Sequence, residues 1–365
     1  MNLSHLLRLT DDTGILQHAR YSLVDRDHGY TTDDNAQALL FTVEAPTAGI
    51  EGLDESGAAL LDLQARYLSF VDHAFDPTSG RFRAYMRFDR TWAPERSEDA
   101  DGRAIWSLGT CAARSNDAGL RSATRELMHR ALPSADGVTS PRAWAHTLLG
   151  LNAYLERHAD DAGPLALQAE LAGRLRHHFE RHMQPNWPWP EECLTYDNAR
   201  LPQALIASGR ALGDARMVDL GLRVLEWLVD VQTERGLFAP IGDDGWFPLG
   251  GENSRFDRQP LEASGPLEAC RDAIDAGGGQ EWLAAAQRAL RWFLGGNTLG
   301  TAVRDEESGA AATGLRRAAR TATWAPNRPW RGCRRNSWRT SCTWTPDRSD
   351  EQRRSPDEAG ACDAR

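Results

Sequence analysis

Acidic and Arg-rich clusters flanked by aromatics stand at five places where a helical pattern begins. They are Thr31-Thr32-Asp33-Asp34-Asn35-Ala36, Glu98-Asp99-Ala100-Asp101-Gly102-Arg103, Ser140-Pro141-Arg142-Ala143-Trp144, Leu194-Thr195-Tyr196-Asp197-Asn198-Ala199-Arg200 and Asp257-Arg258-Gln259-Pro260. Carboxyl groups brought together this way suit the breaking of a glycosidic bond. One carboxylic acid protonates the leaving oxygen, and one carboxylate activates water or attacks the anomeric carbon. Asp34, Glu192 and Asp197 are the catalytic candidates, with Glu192 as the acid and either Asp34 or Asp197 as the base. Glu191 and Glu192 lie in a Trp/Pro-rich loop, where partial desolvation would raise a carboxyl pKa. The competing reading of any Asp at a helix start is capping of exposed amides. Two adjacent Asp cannot both cap in the same way, so one of Asp33 and Asp34 is expected to do something else.

Sugars present apolar C–H faces and rings of hydroxyls, which call for flat aromatic platforms beside forked polar groups. Tyr30, Trp187, Trp189, Tyr196 and Trp246 are the expected platforms. Arg103, Arg142, Arg200, Arg255, His28 and Gln259 are the expected polar contacts, with Asp33, Asp99, Asp101 and Asp257 completing the substrate-binding set. Trp106 and Trp144 fall inside helical patterns and read as core. His178 and His182 share a helix face, but no third ligand accompanies them, so no metal is expected. Gly277-Gly278-Gly279 precedes no phosphate-loop Lys, and no cofactor is expected.

Ten helices must position these groups. Apolar residues recur at three- and four-residue spacing, as in Leu148, Leu151 and Leu155. The pattern predicts helices near 34–46, 55–75, 99–115, 118–131, 141–158, 164–184, 198–212, 214–233, 259–276 and 280–295. Short links join the two helices of each pair, while loops 76–97, 185–196 and 234–257 are long and carry much of the aromatic, Gly and Pro content. In the first of these, Phe82, Ala84, Met86 and Phe88 alternate with Arg81, Arg83, Tyr85 and Arg87, a hairpin pattern. Five helical hairpins in sequence suggest a ring that presents one polar, aromatic rim.

Composition narrows the setting. The chain has 365 residues, a net charge of −10 and no Lys among its 42 basic residues. That charge argues against general nucleic-acid binding, which needs a basic face. No run of 18 apolar residues and no basic-then-apolar leader occurs, so the expected location is the cytoplasm, away from a membrane. Cys111, Cys193 and Cys270 are far apart, and no C-x-x-C pair exists, so buried thiols are expected rather than a disulfide framework or a zinc knuckle.

Longer motifs carry a resemblance. They include Thr10 to Ala19, His28-Gly29-Tyr30 with Thr32 to Ala36, Gly102 to Trp106 with Leu108-Gly109, Ser140 to Ala145, Leu194 to Leu205, Gly245-Trp246 with Pro248, Gly250 and Gly251, and Phe256-Asp257 with Gln259-Pro260 and Glu262-Ala263. From about residue 4 to 305 the chain resembles bacterial proteins of the six-hairpin glycosidase-like superfamily, whose domain is often fused behind a glycosyltransferase. The resemblance implies an all-α (α/α)6 toroid with its last hairpin incomplete, acting on an oligosaccharide or glycan chain end. It also implies a glycosyltransferase as partner. The alternative reading is a non-catalytic glycan-binding or accessory module working with a glycosyltransferase. A third, a helical-toroid isomerase of free sugars, would want paired His near the ring centre, and the sequence does not place them there. Two departures stand out: Trp189-Pro190-Glu191-Glu192 replaces a Trp-Phe-Glu-Asp segment, and Arg258 sits where Gln is more frequent.

The domain is expected to span 1–310, followed by an aberrant tail over 311–365. After Leu315, fifty residues contain no Leu, Ile, Val, Met, Phe or Tyr, yet hold twelve Arg and four Trp. Composition of this kind accompanies disorder. A reading-frame slip near residue 310 explains it better. Given suitable GC-rich codons for Trp324-Ala325-Pro326-Asn327-Arg328-Pro329-Trp330, one neighbouring frame can encode Val-Gly-Ala-Glu-Ser-Thr-Leu-Ala, a sensible helix start. Resequencing of the gene is expected to reveal a slip near codon 310. An intact frame in close relatives that keeps the Arg/Trp-rich tail would overturn this reading.

Overall fold

The computed structural model describes residues 2–45, 57–305, 309–312 and 323–325. Eleven helices are present among them: α1 (Ser4–Leu9), α2 (Thr32–Glu44), α3 (Ala58–Ala74), α4 (Glu98–Arg114), α5 (Ala118–Ala135), α6 (Pro141–Arg157), α7 (Ala162–His182), α8 (Arg200–Leu212), α9 (Ala215–Val231), α10 (Pro260–Asp275) and α11 (Gln280–Phe293). Each long predicted helix is found, most with ends within two or three residues. The even-numbered helices from α2 to α10 pack side by side as an inner wall, and each is backed by the odd-numbered helix that follows it. The fold is the expected (α/α)6 toroid, and the described residues supply no sixth inner helix.

Glycine sets the spacing of the wall. A Cβ on Gly109 would lie 2.1 Å from the Gly150 carbonyl oxygen, and one on Gly150 would lie 2.5 Å from that of Ile105. The backbones of α4 and α6 therefore touch, which brings their first turns within reach of the same partners. Hydroxyl caps then release the acids. Thr31, Ser97 and Ser140 accept from the amides of Asp34, Ala100 and Ala143 at the starts of α2, α4 and α6. No Asp of these first turns is needed as a cap.

Small strands decorate the N-terminal end of the inner wall. Leu16–Arg20 and Leu23–Thr31 form an antiparallel pair that the helical pattern did not announce. The alternating stretch in loop 76–97 divides between two partners. Arg81–Phe82 pairs with Phe75–Asp76, while Tyr85–Met86 pairs with Tyr30 and Thr31. Ala311–Ala312 and Thr323–Ala325 extend the N-terminal sheet. The rest of the Arg/Trp-rich tail lies outside the described residues. Cys111, Cys193 and Cys270 are buried as thiols.

The last hairpin leaves apolar side chains in water. Leu283, Leu290 and Leu294 on and just after α11, with Ile274 and Leu299, are 38–52% exposed. Each forfeits part of the roughly 1.5–3 kcal/mol that full burial of such a side chain supplies. The chain as written is therefore expected to melt below about 60 °C, within or under the range of ordinary domains; a cooperative transition well above that would contradict an uncovered edge. Gly109→Ala is expected to cost about 1–3 kcal/mol through forced separation of α4 and α6, measured by urea denaturation. An unchanged midpoint would refute the close backbone contact.

Candidate functional site

Asp197 is the hub of the N-terminal face of the inner wall. It follows Tyr196 in a turn before α8 and takes a left-handed backbone, φ 50°. A non-Gly residue holds that conformation only where its surroundings fix it. Here the Arg142 Nε donates to the Tyr196 carbonyl at 2.6 Å, its Nη2 reaches Thr195 Oγ1 at 2.8 Å, and the Asn198 amide bonds both Thr195 and Glu262. The Asp197 amide itself donates to Glu262 Oε1. Side chains of α6 and α10 thus converge on the turn that leads into α8.

The Asp197 carboxylate is fully buried. Its Oδ2 accepts from Arg103 Nη2 at 2.7 Å and lies 3.0 Å from His146 Nε2, while Oδ1 accepts from Arg200 Nε at 3.3 Å. Although burial opposes ionisation, the guanidinium groups of Arg103 and Arg200 and the His146 contact hold Asp197 well below the usual carboxylate range. Burial, with Arg103 nearby, pushes His146 down from its ordinary value, so its imidazole is neutral at neutral pH. An ionised Asp197 requires the proton of that imidazole to sit on Nε2. His146 Nδ1, which is buried, has no hydrogen-bond partner among the described residues. The ring stacks on Trp106 at 5.8 Å, and the Arg200 guanidinium covers Trp106 at 4.8 Å.

A shell of further polar residues encloses this hub. Asp33 lies 3.0 Å from Arg103 Nε and keeps 13% side-chain exposure. Asp99 accepts from the Tyr196 hydroxyl at 2.7 Å. Arg142 Nη1 donates to Glu191 at 2.8 Å, and Glu191 also takes the Trp189 Nε1 hydrogen at 3.2 Å. Arg200 Nη1 pairs with Glu268 at 2.8 Å. Glu262 is pushed up to about 8 by burial first and by the Asp197 charge second, and Glu268 to about 7 by burial. Tyr196 and Trp246 form an aromatic wall with centroids 6.4 Å apart.

The structure brings together Asp33, Asp99, Arg103, Arg142, Tyr196, Asp197 and Arg200. Asp34 is buried in the same first turn of α2 as Asp33. The other expected residues are placed differently. Glu192 is exposed, and it is the neighbouring Glu191 that turns inward to Arg142. Asp101 faces away, to Arg81 and the Phe82 amide, and pins the 76–97 loop to α4. Trp187 and Trp189 are not open platforms, because they pack edge-on and stacked against Trp227, Phe179 and Phe247 in the core. Tyr30 is likewise buried, its hydroxyl bonded to Asp11 at 2.6 Å. His28 packs against His18, Gln259 donates to Asp243, Asp257 is half-buried and Arg255 is exposed. His146 and Glu268 were not among the sequence candidates.

A cavity of about 570 Å³ lies at the opposite end of the ring, and its lining reaches Trp106 and Gln203 from the other side. The chemistry-bearing cluster lies at the end where the long loops return to the inner helices.

Fold and cluster together define an (α/α)6 six-hairpin protein with a buried carboxylate–imidazole pair at its N-terminal mouth. Among solved structures the chain is similar to a sugar epimerase from a ruminal bacterium, at 14% identity and a TM-score of 0.68, covering 89% of this chain and 90% of that one. It is similar to a D-mannose isomerase, at 9% identity and a TM-score of 0.66, covering 90% of each. A GH76 α-mannanase of Bacteroides thetaiotaomicron follows at 12% identity, a TM-score of 0.53 and 82% of each chain. No protein-family model matches the sequence, and no curated protein does.

Asp197→Asn is expected to destabilise the fold by about 2–4 kcal/mol, since it leaves buried Arg103 with Asp33 and buried Arg200 with Glu268 as their remaining carboxylates; a loss under about 1 kcal/mol in urea denaturation would show the network to be slack. Glu262 gives a pH signature. Its folded pKa, about 8, exceeds the ordinary 4.5, so the native state binds the extra proton in that window. Its contribution is complete below about 4.5 and is lost as pH rises through about 8. Glu262→Gln is expected to flatten this fall in the stability–pH curve, and an identical slope in the variant would contradict it.

Proposed function

We propose that this chain is a carbohydrate-active enzyme that moves a proton on a sugar, an isomerase or epimerase by reaction class. The observation that carries the reading is the buried His146–Asp197 pair, with the imidazole neutral and a lone pair left on Nδ1. A base takes a proton from the carbon beside an open-chain sugar carbonyl, and the enediolate is then reprotonated at another position or face. Asp197 orients the imidazole and stabilises the imidazolium that forms. Two structural neighbours with the higher TM-scores carry the names of a sugar epimerase and a mannose isomerase, which supports the same reaction class.

Glycosidic hydrolysis is the second reading, and Glu262 favours it. A carboxyl held protonated to about 8 beside a carboxylate kept ionised is the pattern of an acid and its partner. Against it, both Asp197 oxygens already face Arg103, His146 and Arg200. Asp197 is an anchor in this arrangement, with no oxygen turned to a water or an anomeric carbon.

The two are separated by running aldoses, ketoses and oligosaccharides in deuterated water. The proton-transfer reading expects deuterium at the sugar carbon next to the carbonyl, abolished in His146→Asn with sugar binding retained. Release of reducing ends without deuterium incorporation would favour hydrolysis. Binding without turnover of any sugar would leave a glycan-binding module.

A further inference from the structure

The charge pairing around Asp197 bears on which sugars can enter. Three guanidinium groups stand in the buried shell, and each already meets a carboxylate of the chain. Arg103 faces Asp33 and Asp197, Arg142 faces Glu191, and Arg200 faces Asp197 and Glu268. The remaining Arg142 contacts are neutral oxygens of Tyr196, Thr195 and Asn198. Carboxyl groups outnumber the cations, since Asp99 and Glu262 are present as well. Even with Glu262 and Glu268 protonated, four carboxylates oppose three guanidiniums, and the neutral imidazole of His146 adds no positive charge.

We infer that the site accepts uncharged sugars and rejects sugar carboxylates and phosphate esters. This rests on the reading of the site as a sugar site. An anionic group could enter the shell only by displacing Asp33, Glu191 or Glu268 from its guanidinium. That would leave a partly buried carboxylate without its partner, a strongly unfavourable exchange. Sugar hydroxyls face no such barrier. They donate to carboxylate edges, and Asp33 and Glu191 keep 13% and 26% side-chain exposure, enough to offer an edge outward. The half-buried Tyr196, which carries the Arg142 guanidinium over its ring and has the buried Trp246 beside it, leaves an uncharged ring edge for the C–H side of a sugar. Arg255, which is exposed, stands outside this buried shell.

The test is a set of equilibrium titrations on the full chain with D-glucose, D-mannose and cellobiose, each beside its uronate and its phosphate ester. Neutral members are expected to bind at least about tenfold more tightly than their charged counterparts, a difference near 1.4 kcal/mol. E191Q, which releases Arg142 from its carboxylate, is expected to narrow that gap, with thermal unfolding confirming that the variant is folded. Equal or tighter binding of uronates or phosphates by the unmodified chain overturns the inference and leaves the sugar-site reading in place. No binding of any sugar, charged or neutral, overturns the sugar-site reading and the inference with it.

Discussion

One buried carboxylate organises this molecule. Asp197 sits where water cannot solvate it, and its negative charge is sustained by two guanidinium groups and an imidazole drawn from three inner helices. The arrangement is costly to assemble, since taking ions out of water is favourable only when geometry and partners are nearly complete. That cost is a constraint on the rest of the fold. Arg142, Asn198 and Glu262 hold the turn in its left-handed conformation, hydroxyl caps free the acidic first turns, and glycines let α4 and α6 approach closely enough for Arg103 and His146 to share one oxygen.

The chemistry follows from the same constraint. A fixed anion sets the tautomer of His146, burial keeps the ring neutral, and Nδ1 is left with an unshared lone pair, the feature on which the proposed base role rests. The guanidiniums that stabilise Asp197 are themselves occupied, so the charge that makes the pair also shapes what can approach it. Trp106 links the two halves of the ring interior, with His146 stacked on it and the cavity of the opposite end reaching it from beyond.

Much of the architecture was legible in the sequence because helical periodicity is a local signal. The hairpin series, the pairing of helices and the return of the long loops to one end could be read from apolar spacing, Ser140-Pro141 and Gly213. So could the gathering of Asp33, Asp99, Arg103, Arg142, Asp197 and Arg200, since each opens or nearly opens an inner helix. What failed depended on direction. Glu191 and Glu192 are adjacent, and only three-dimensional packing decides that the first turns to Arg142 while the second faces solvent. Trp187 and Trp189 lie in a loop, but that loop folds against Phe179 and against Trp227, the latter forty positions beyond Trp187. His146 is one helical turn beyond Arg142 on an apolar face, where a histidine reads as core. The i,i+4 spacing of Arg142 and His146 was the available signal. The N-terminal strands were missed because their pairing is set by the neighbouring sheet rather than by strict alternation.

The central claim is that His146, kept neutral by burial and by Arg103, has its proton held on Nε2 by Asp197. Nitrogen-15 NMR of the labelled ring reads this directly. The account predicts one protonated Nε2 and one bare Nδ1 at neutral pH, and in Asp197→Asn a ring that stays neutral but no longer has its proton fixed on Nε2. An imidazolium at neutral pH, or a proton on Nδ1, would contradict it.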